Sequence, residues 1–399
     1  MIQGFNIKTI DDEDIRNKRI LLKVDFNILD LHDGRSLLST SKVDASIPTM
    51  KYLLDRGNRL ICTSHVSKTK ARDPKRSLKP VAYYVQTLFP QHKIVFVNNF
   101  QDSVDREIIH NQKDNEIIIL ENILYYPEEE LNDQKFVEQL CGLADIFVYD
   151  AFPEGHRPFA SVIGPQKHLP SFAGFAMKKE VEAIMEIVAR PTYPLTVVMG
   201  GAKVSTKIPV IETFLDKADY LVLGGVLANT FLVAQGYKIG KSVYEFDQLE
   251  VARGFLDKAT SRKAKLILPT DAVVGNIDNE TVQPEVKNIQ SIPDDRAILD
   301  IGPQTVLTLQ NVILQSKTIF WNGPVGFFEK QQYRVGTDAV FEVMSKNREA
   351  TTIIGGGDTL TAIENKPGKE TIDHISNGGG AMLYFIEKGT LPALEAFKV

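Results

Sequence analysis

Two lysines, Lys203 and Lys207, stand four residues apart in the stretch GGAKVSTK, directly behind the pair Gly200-Gly201. Lysines at this spacing are ordinarily solvated surface charges. The glycine pair changes that reading: bare backbone N–H groups can approach an anion there, and two cations beside them can grip a polyphosphate. If a helix begins at this point, both ammonium groups lie on one face of its first turns. The stretch GGGDT at 355–359 offers matching chemistry. Gly355, Gly356 and Gly357 expose backbone, Asp358 supplies a hard carboxylate oxygen suited to Mg2+, and Thr359 caps a following helix or meets a phosphate. Glu329, at the end of WNGPVGFFE, is an acceptor for ribose hydroxyls, and SNGGGA at 376–381 is a further glycine nest. Together these residues read as a site for a nucleotide polyphosphate and its Mg2+.

The elements that must carry them follow from hydrophobic pattern. Four apolar, β-branched runs in the second half stop on glycine: LTVVMGG, YLVLGG, TIFWNGP and TIIGGGD. Such runs followed by helical sequence read as buried parallel strands, and open α/β sheets bind ligands at the carboxyl ends of their strands. In the first half RILLKVDFN, RLICTSH, KIVFVN, EIIILEN and DIFVYDAF read as strands whose ends are polar: Asp25, Asn27, Ser64, His65, Glu121, Asn122 and Asp150. We therefore expect an α/β protein of two doubly wound parallel-sheet lobes, one reading a small polar molecule and the other a nucleotide. The segment 172–194 has near-helical apolar spacing and ends at Pro191 and Pro194, which suits a helix joining the lobes.

Bulk properties bound the remainder. At 399 residues two domains are the default. A net charge of −5 gives no support for nucleic-acid or anionic-membrane binding, and the basic stretch from Lys68 to Lys79 lacks interleaved aromatics in its core, so it reads as a solvated loop. Cys62 and Cys141 have no CxxC spacing and no His partner, so they are expected to be buried packing residues of a chain in a reducing, cytoplasmic setting. No stretch suits a bilayer span, and the acidic start MIQGFNIKTIDDEDI is unlike a leader, so the chain is expected to be complete at its start. A P-loop, a dinucleotide fingerprint and the protein-kinase motif set are all absent.

The motifs taken together resemble the phosphoglycerate kinase family end to end. The resemblance rests on VDFN (24–27), TSH (63–65), SLKPVA (77–82), LEN (120–122), DAF with HR (150–152, 156–157), GFAMKKE (174–180), GGAKVSTKI (200–208), DIGPQT (300–305), WNGPVGFFE (321–329), IGGGDT (354–359) and SNGGGA (376–381). It implies an acceptor domain over 1–171, an interlobe helix over 172–190, a nucleotide domain over 191–381 and a tail, 382–399, that packs back on the first domain. It also implies a monomer that moves a phosphoryl group between ATP and a carboxylate when the lobes close, giving an acyl phosphate. Carried over by residue, it implies a nucleotide and Mg2+ site of Gly201, Lys203, Lys207, Gly224, Gly225, Asn322, Gly323, Pro324, Glu329, Gly355, Gly356, Gly357, Asp358 and Thr359. Asp358 is the metal ligand, and Lys42, Lys203, Gly357 and Asp358 are catalytic. The acceptor falls to Lys23, Asp25, Asn27, Lys42, His65, Lys68, His156 and Arg157.

This chain departs from the family pattern mainly on the acceptor side. Lys23, Lys42 and Lys68 replace arginines, Leu124 replaces another, and GTAH becomes Pro153-Glu154-Gly155-His156, which brings an acid to a site that should attract anions. Lysine keeps charge but loses the bidentate fork, and losing one bidentate partner costs about 1.5–3 kcal/mol. On the nucleotide side, Val226 replaces a glycine and crowds the adenine slot. Three readings stay open on these residues: a phosphoglycerate kinase with a softened basic patch; a kinase of the same fold that activates a different carboxylate with less or no phosphate, which would suit Leu124; and a non-catalytic nucleotide-binding paralogue. Retention of Lys203, Lys207 and Asp358 counts against the last.

Overall fold

A computed structural model describes residues 1–2, 4–67, 72–279 and 281–398. The chain divides into two units, Met1–Glu182 with Thr390–Val399, and Ala183–Gly389. The division falls inside one helix, Phe175–Val188.

The first unit is built on six strands: β1 (Arg19–Lys23), β2 (Arg59–Thr63), β3 (Lys93–Val97), β4 (Glu116–Leu120), β5 (Ile146–Tyr149) and β6 (Ser171–Ala173). They pair in parallel in the order β3-β4-β2-β1-β5-β6. Every residue of β4 and β5 is buried, as a parallel strand covered on both faces requires. The order reverses at β1, whose neighbours are the following strand on one side and β5 on the other, so the crevice expected of a doubly wound sheet opens at their carboxyl ends. Leu391, Ala393 and Leu394 from the end of the chain are fully buried in this unit. Ala393 N–H donates to Gly155 O at 3.0 Å, and a Cβ on Gly155 would come within 2.9 Å of the Leu391 side chain.

The second unit has β7 (Leu195–Met199), β8 (Tyr220–Leu223), β9 (Lys265–Ile267), β10 (Asp271–Gly275), β11 (Glu285–Asn288), β12 (Ala297–Ile301), β13 (Thr318–Asn322), β14 (Thr351–Gly355) and β15 (His374–Ile375). Six of them form a parallel sheet in the order β15-β14-β13-β7-β8-β9, which reverses at β7. Its centre is Trp321, fully buried on β13, with its indole N–H donating to Gly323 O at 2.8 Å; burying a side chain of this kind is worth about 1.5–3 kcal/mol. The other three strands form an antiparallel sheet, β11-β10-β12, bulged between Val273 and Val274. Parallel pairing throughout is thus the rule for the two large sheets only.

Candidate functional site

In the second unit the strand reversal brings together the ends of β7 and β13. Gly200 N–H donates to Asn322 O at 2.9 Å and Gly201 N–H to Pro324 O at 2.7 Å. The approach is too close for a side chain: a Cβ on Gly200 would lie 2.1 Å from Pro324 O. Gly201, Gly225, Gly323 and Gly356 have positive φ, the left-handed conformation that glycine adopts without steric cost. The rim is therefore folded from backbone.

Lys207 reaches into this rim. Its ammonium donates to Asn322 Oδ1 at 2.7 Å and more weakly to Asn322 O at 3.3 Å. Burial pushes its pKa down to about 8, and the nearby Asp358 carboxylate only partly opposes this. Lys203 is exposed, on a loop tied down by Glu245, whose carboxylate accepts from Val204 N–H at 3.0 Å and Ser205 N–H at 3.2 Å. The two lysines do not share a helical face. The helix starts only at Ile208, because Pro209 is tolerated in a first turn but in a helix begun at Lys203 would clash with the carbonyl of Ser205. Asp358 and Glu329 are exposed, and both line a cavity of about 200 Å³ together with Gly201, Gly225, Val226 and Pro324. Val226, which stands where the family has a glycine, thus presents a side chain to this cavity.

Other expected contacts take supporting roles. Thr359 is fully buried, and its hydroxyl accepts from Gly323 N–H at 2.7 Å, so it ties the β13 and β14 loops together rather than facing a phosphate. A Cβ on Gly355 would meet the Met382 sulfur at 2.5 Å, and Gly224 is hemmed in by Val325, so these glycines serve packing. Gly357 has open space where a Cβ would stand. No cluster of three or more metal-ligating side chains exists among the described residues. A three-ligand protein cluster is not what Mg2+ requires, since it is commonly held by one or two carboxylates, substrate phosphates and water.

In the first unit the reversal brings together the ends of β1, β2 and β5, and there the wall is made of side chains. Lys23, the last residue of β1, is fully buried, with its ammonium 2.9 Å from Glu154 Oε2. His65 Nδ1, just past β2, lies 2.9 Å from the same oxygen. Arg157 sits 3.4 Å from Glu154 Oε1. Glu154 itself is buried on the 3-10 turn Phe152–Glu154 that follows β5. Burial opposes its ionisation, but the charges of His65 and Lys23 prevail and hold its carboxyl well below the ordinary value. Lys42 Nζ is 2.9 Å from Asp25 Oδ2, while Asp25 Oδ1 accepts from Asn27 N–H at 3.0 Å. His156 is shifted below its ordinary pKa by burial and by Arg157. Leu124, which stands where the family has an arginine, is buried. Lys68 lies outside the described residues.

Lys23 is thus not presented to a ligand, contrary to expectation, and the structural importance of Glu154 was missed. The available signal was a lysine ending a strand of otherwise apolar residues, which needs a counter-ion when buried.

Two doubly wound sheets, each with a polar crevice where its strand order reverses, define an α/β protein of the small-molecule-binding class. Comparison with known proteins narrows the class. The family model described as phosphoglycerate kinase matches residues 10–389. The chain is 40% identical over 394 residues to the phosphoglycerate kinase of Finegoldia magna and 38% identical over 394 residues to the cytosolic enzyme of Triticum aestivum, covering 98% of each chain in both cases. Among solved structures it is similar to phosphoglycerate kinase from Coxiella burnetii (TM-score 0.88, 32% identity, covering 98% of this chain and 99% of that one). It is also similar to that from Pyrococcus horikoshii (TM-score 0.86, 30% identity, covering 98% of each). The chain belongs to the phosphoglycerate kinase family, whose members are phosphotransferases with a carboxyl group as acceptor. No helix among the described residues is long and apolar enough to cross a membrane.

Proposed function

We propose that this chain catalyses reversible transfer of a phosphoryl group between ATP and the carboxylate of 3-phosphoglycerate, giving an acyl phosphate. The observation that carries this reading is the match to phosphoglycerate kinases across 98% of the chain. The nucleotide binds the glycine rim of the second unit, with its base in the slot lined by Val226 and its ribose at Glu329. Lys203 and Lys207 neutralise the phosphates, and charge spread over the moving phosphoryl group is stabilised by groups already fixed in place. Mg2+ would be held by Asp358 and would supply further charge neutralisation. On the acceptor side Asp25 and Asn27 take the hydroxyl, His156 and Arg157 the anionic end, and Lys42 faces the transferring group. No general base is needed, because a carboxylate is already a nucleophile.

An ATP-consumption assay with hydroxylamine trapping of acyl phosphate, run on 3-phosphoglycerate and on a panel of unphosphorylated hydroxy acids, tests the reading. Turnover of 3-phosphoglycerate is expected. Turnover only of the unphosphorylated acids, or nucleotide binding without turnover, overturns it.

A further inference from the structure

The charged groups at the reversal of the first sheet neutralise one another. Lys23, Lys42 and Arg157 bring positive charge, and among the described residues Asp25 and Glu154 pair with it, so two carboxylates offset part of the charge that would hold an anionic acceptor. Glu154 has the larger share, because it alone faces three basic groups carried by three different parts of the sheet. Among the described residues, neither Lys23 Nζ nor His65 Nδ1 has an aligned hydrogen bond in addition to this ionic contact. Glu129, also near Lys23, is no substitute: its carboxylate accepts from Ser161, and burial raises its pKa, favouring the neutral form. Of the three partners only Arg157 keeps appreciable exposure, 28% of its side chain, against 0% for Lys23 and 4% for His65. An incoming anion at Arg157 thus competes with a carboxylate built into the floor of the site.

We propose that Glu154 is a specificity-determining positioning residue, a resident anion that holds Lys23, His65 and Arg157 and weakens the site's grip on a multiply charged acceptor. This rests on the reading that the first unit binds the acceptor. Glu154 touches no reacting atom. It acts through the guanidinium it holds and through the charge it subtracts, and at low local dielectric a single charge at such distances has a large effect.

Glu154→Gln keeps the shape and a hydrogen-bonding oxygen but removes the charge. Binding of 3-phosphoglycerate, and separately of inorganic sulfate, is measured by calorimetry, alongside KM and kcat for both substrates. The variant should bind both anions about three- to tenfold more tightly, with a steeper salt dependence and an unchanged KM for ATP. Because Glu154→Gln leaves a buried ammonium unpaired, the same comparison is made in a Lys23→Met background, where Lys23→Met/Glu154→Gln should bind anions more tightly than Lys23→Met alone. Unchanged or weaker anion binding in either folded pair overturns the proposal and leaves Glu154 a structural counter-ion. Failure of the unmodified chain to turn over 3-phosphoglycerate overturns the proposed reaction instead; the sulfate arm still decides the role of Glu154.

Discussion

Where β1 meets β5 in the first unit, the chain places a buried lysine, a buried histidine and a buried glutamate within ionic contact. Where β7 meets β13 in the second, the topologically equivalent position holds Gly200, Gly201 and Gly323, packed backbone to backbone. The same reversal of strand order thus yields one crevice walled by charge and one walled by amide groups. A backbone wall has fixed geometry that most substitutions elsewhere leave alone. A wall of paired charges has its potential set by side chains and can be retuned one residue at a time.

The two walls should fail differently. Glu154→Ala leaves Lys23 buried and uncompensated, so it should cost about 3–5 kcal/mol, read as a fall in the urea midpoint; a loss below about 1 kcal/mol, the range of exposed pairs, would show that water reaches the cluster. Lys42→Ala should lower kcat about 10²–10³-fold while ATP affinity holds, and equal loss of both would remove its role in transfer. Gly200→Val drives a side chain into Pro324 O and should cost about 1–3 kcal/mol with loss of nucleotide binding; a variant of normal affinity would show that the β7 and β13 ends can part.

The smallest effect is a pH dependence confined to the glycine rim. With its pKa brought from 10.5 to about 8, Lys207 is charged below that pH and neutral above it. The value of kcat/KM for ATP should therefore fall as pH rises through about 8, and Lys207→Arg should remove the fall because guanidinium stays protonated. A flat profile for the unmodified chain would place the ammonium in a wetter setting.

The glycine rim was legible because its code is local: an apolar run, a glycine, then helical sequence. Local pattern also hid three things. DAVVG, which is β10, is not among the strands expected from the sequence; it pairs antiparallel with the largely exposed β11, and nothing within its five residues reports that. Lys203 and Lys207 have helical spacing, but Pro209 two residues beyond delays the helix. Glu154, set between proline and glycine, reads only as an acid introduced near an anion site. Its burial beside Lys23, at the end of β1, and His65, just past β2, joins residues far away in sequence, so only the folded sheet makes it an internal counter-ion.

The seating of Leu391 and Ala393 against Gly155 has a consequence for biosynthesis. The turn bearing Glu154 is made early, but the Leu391 and Ala393 that pack beside it are made only after the whole of Ala183–Gly389. At roughly 5–20 residues per second the wait is on the order of ten to forty seconds. Through that interval the nascent chain holds the Glu154 turn without the Leu391 and Ala393 that pack beside it, so this part of the first unit is completed only after the residues of the second unit have been made.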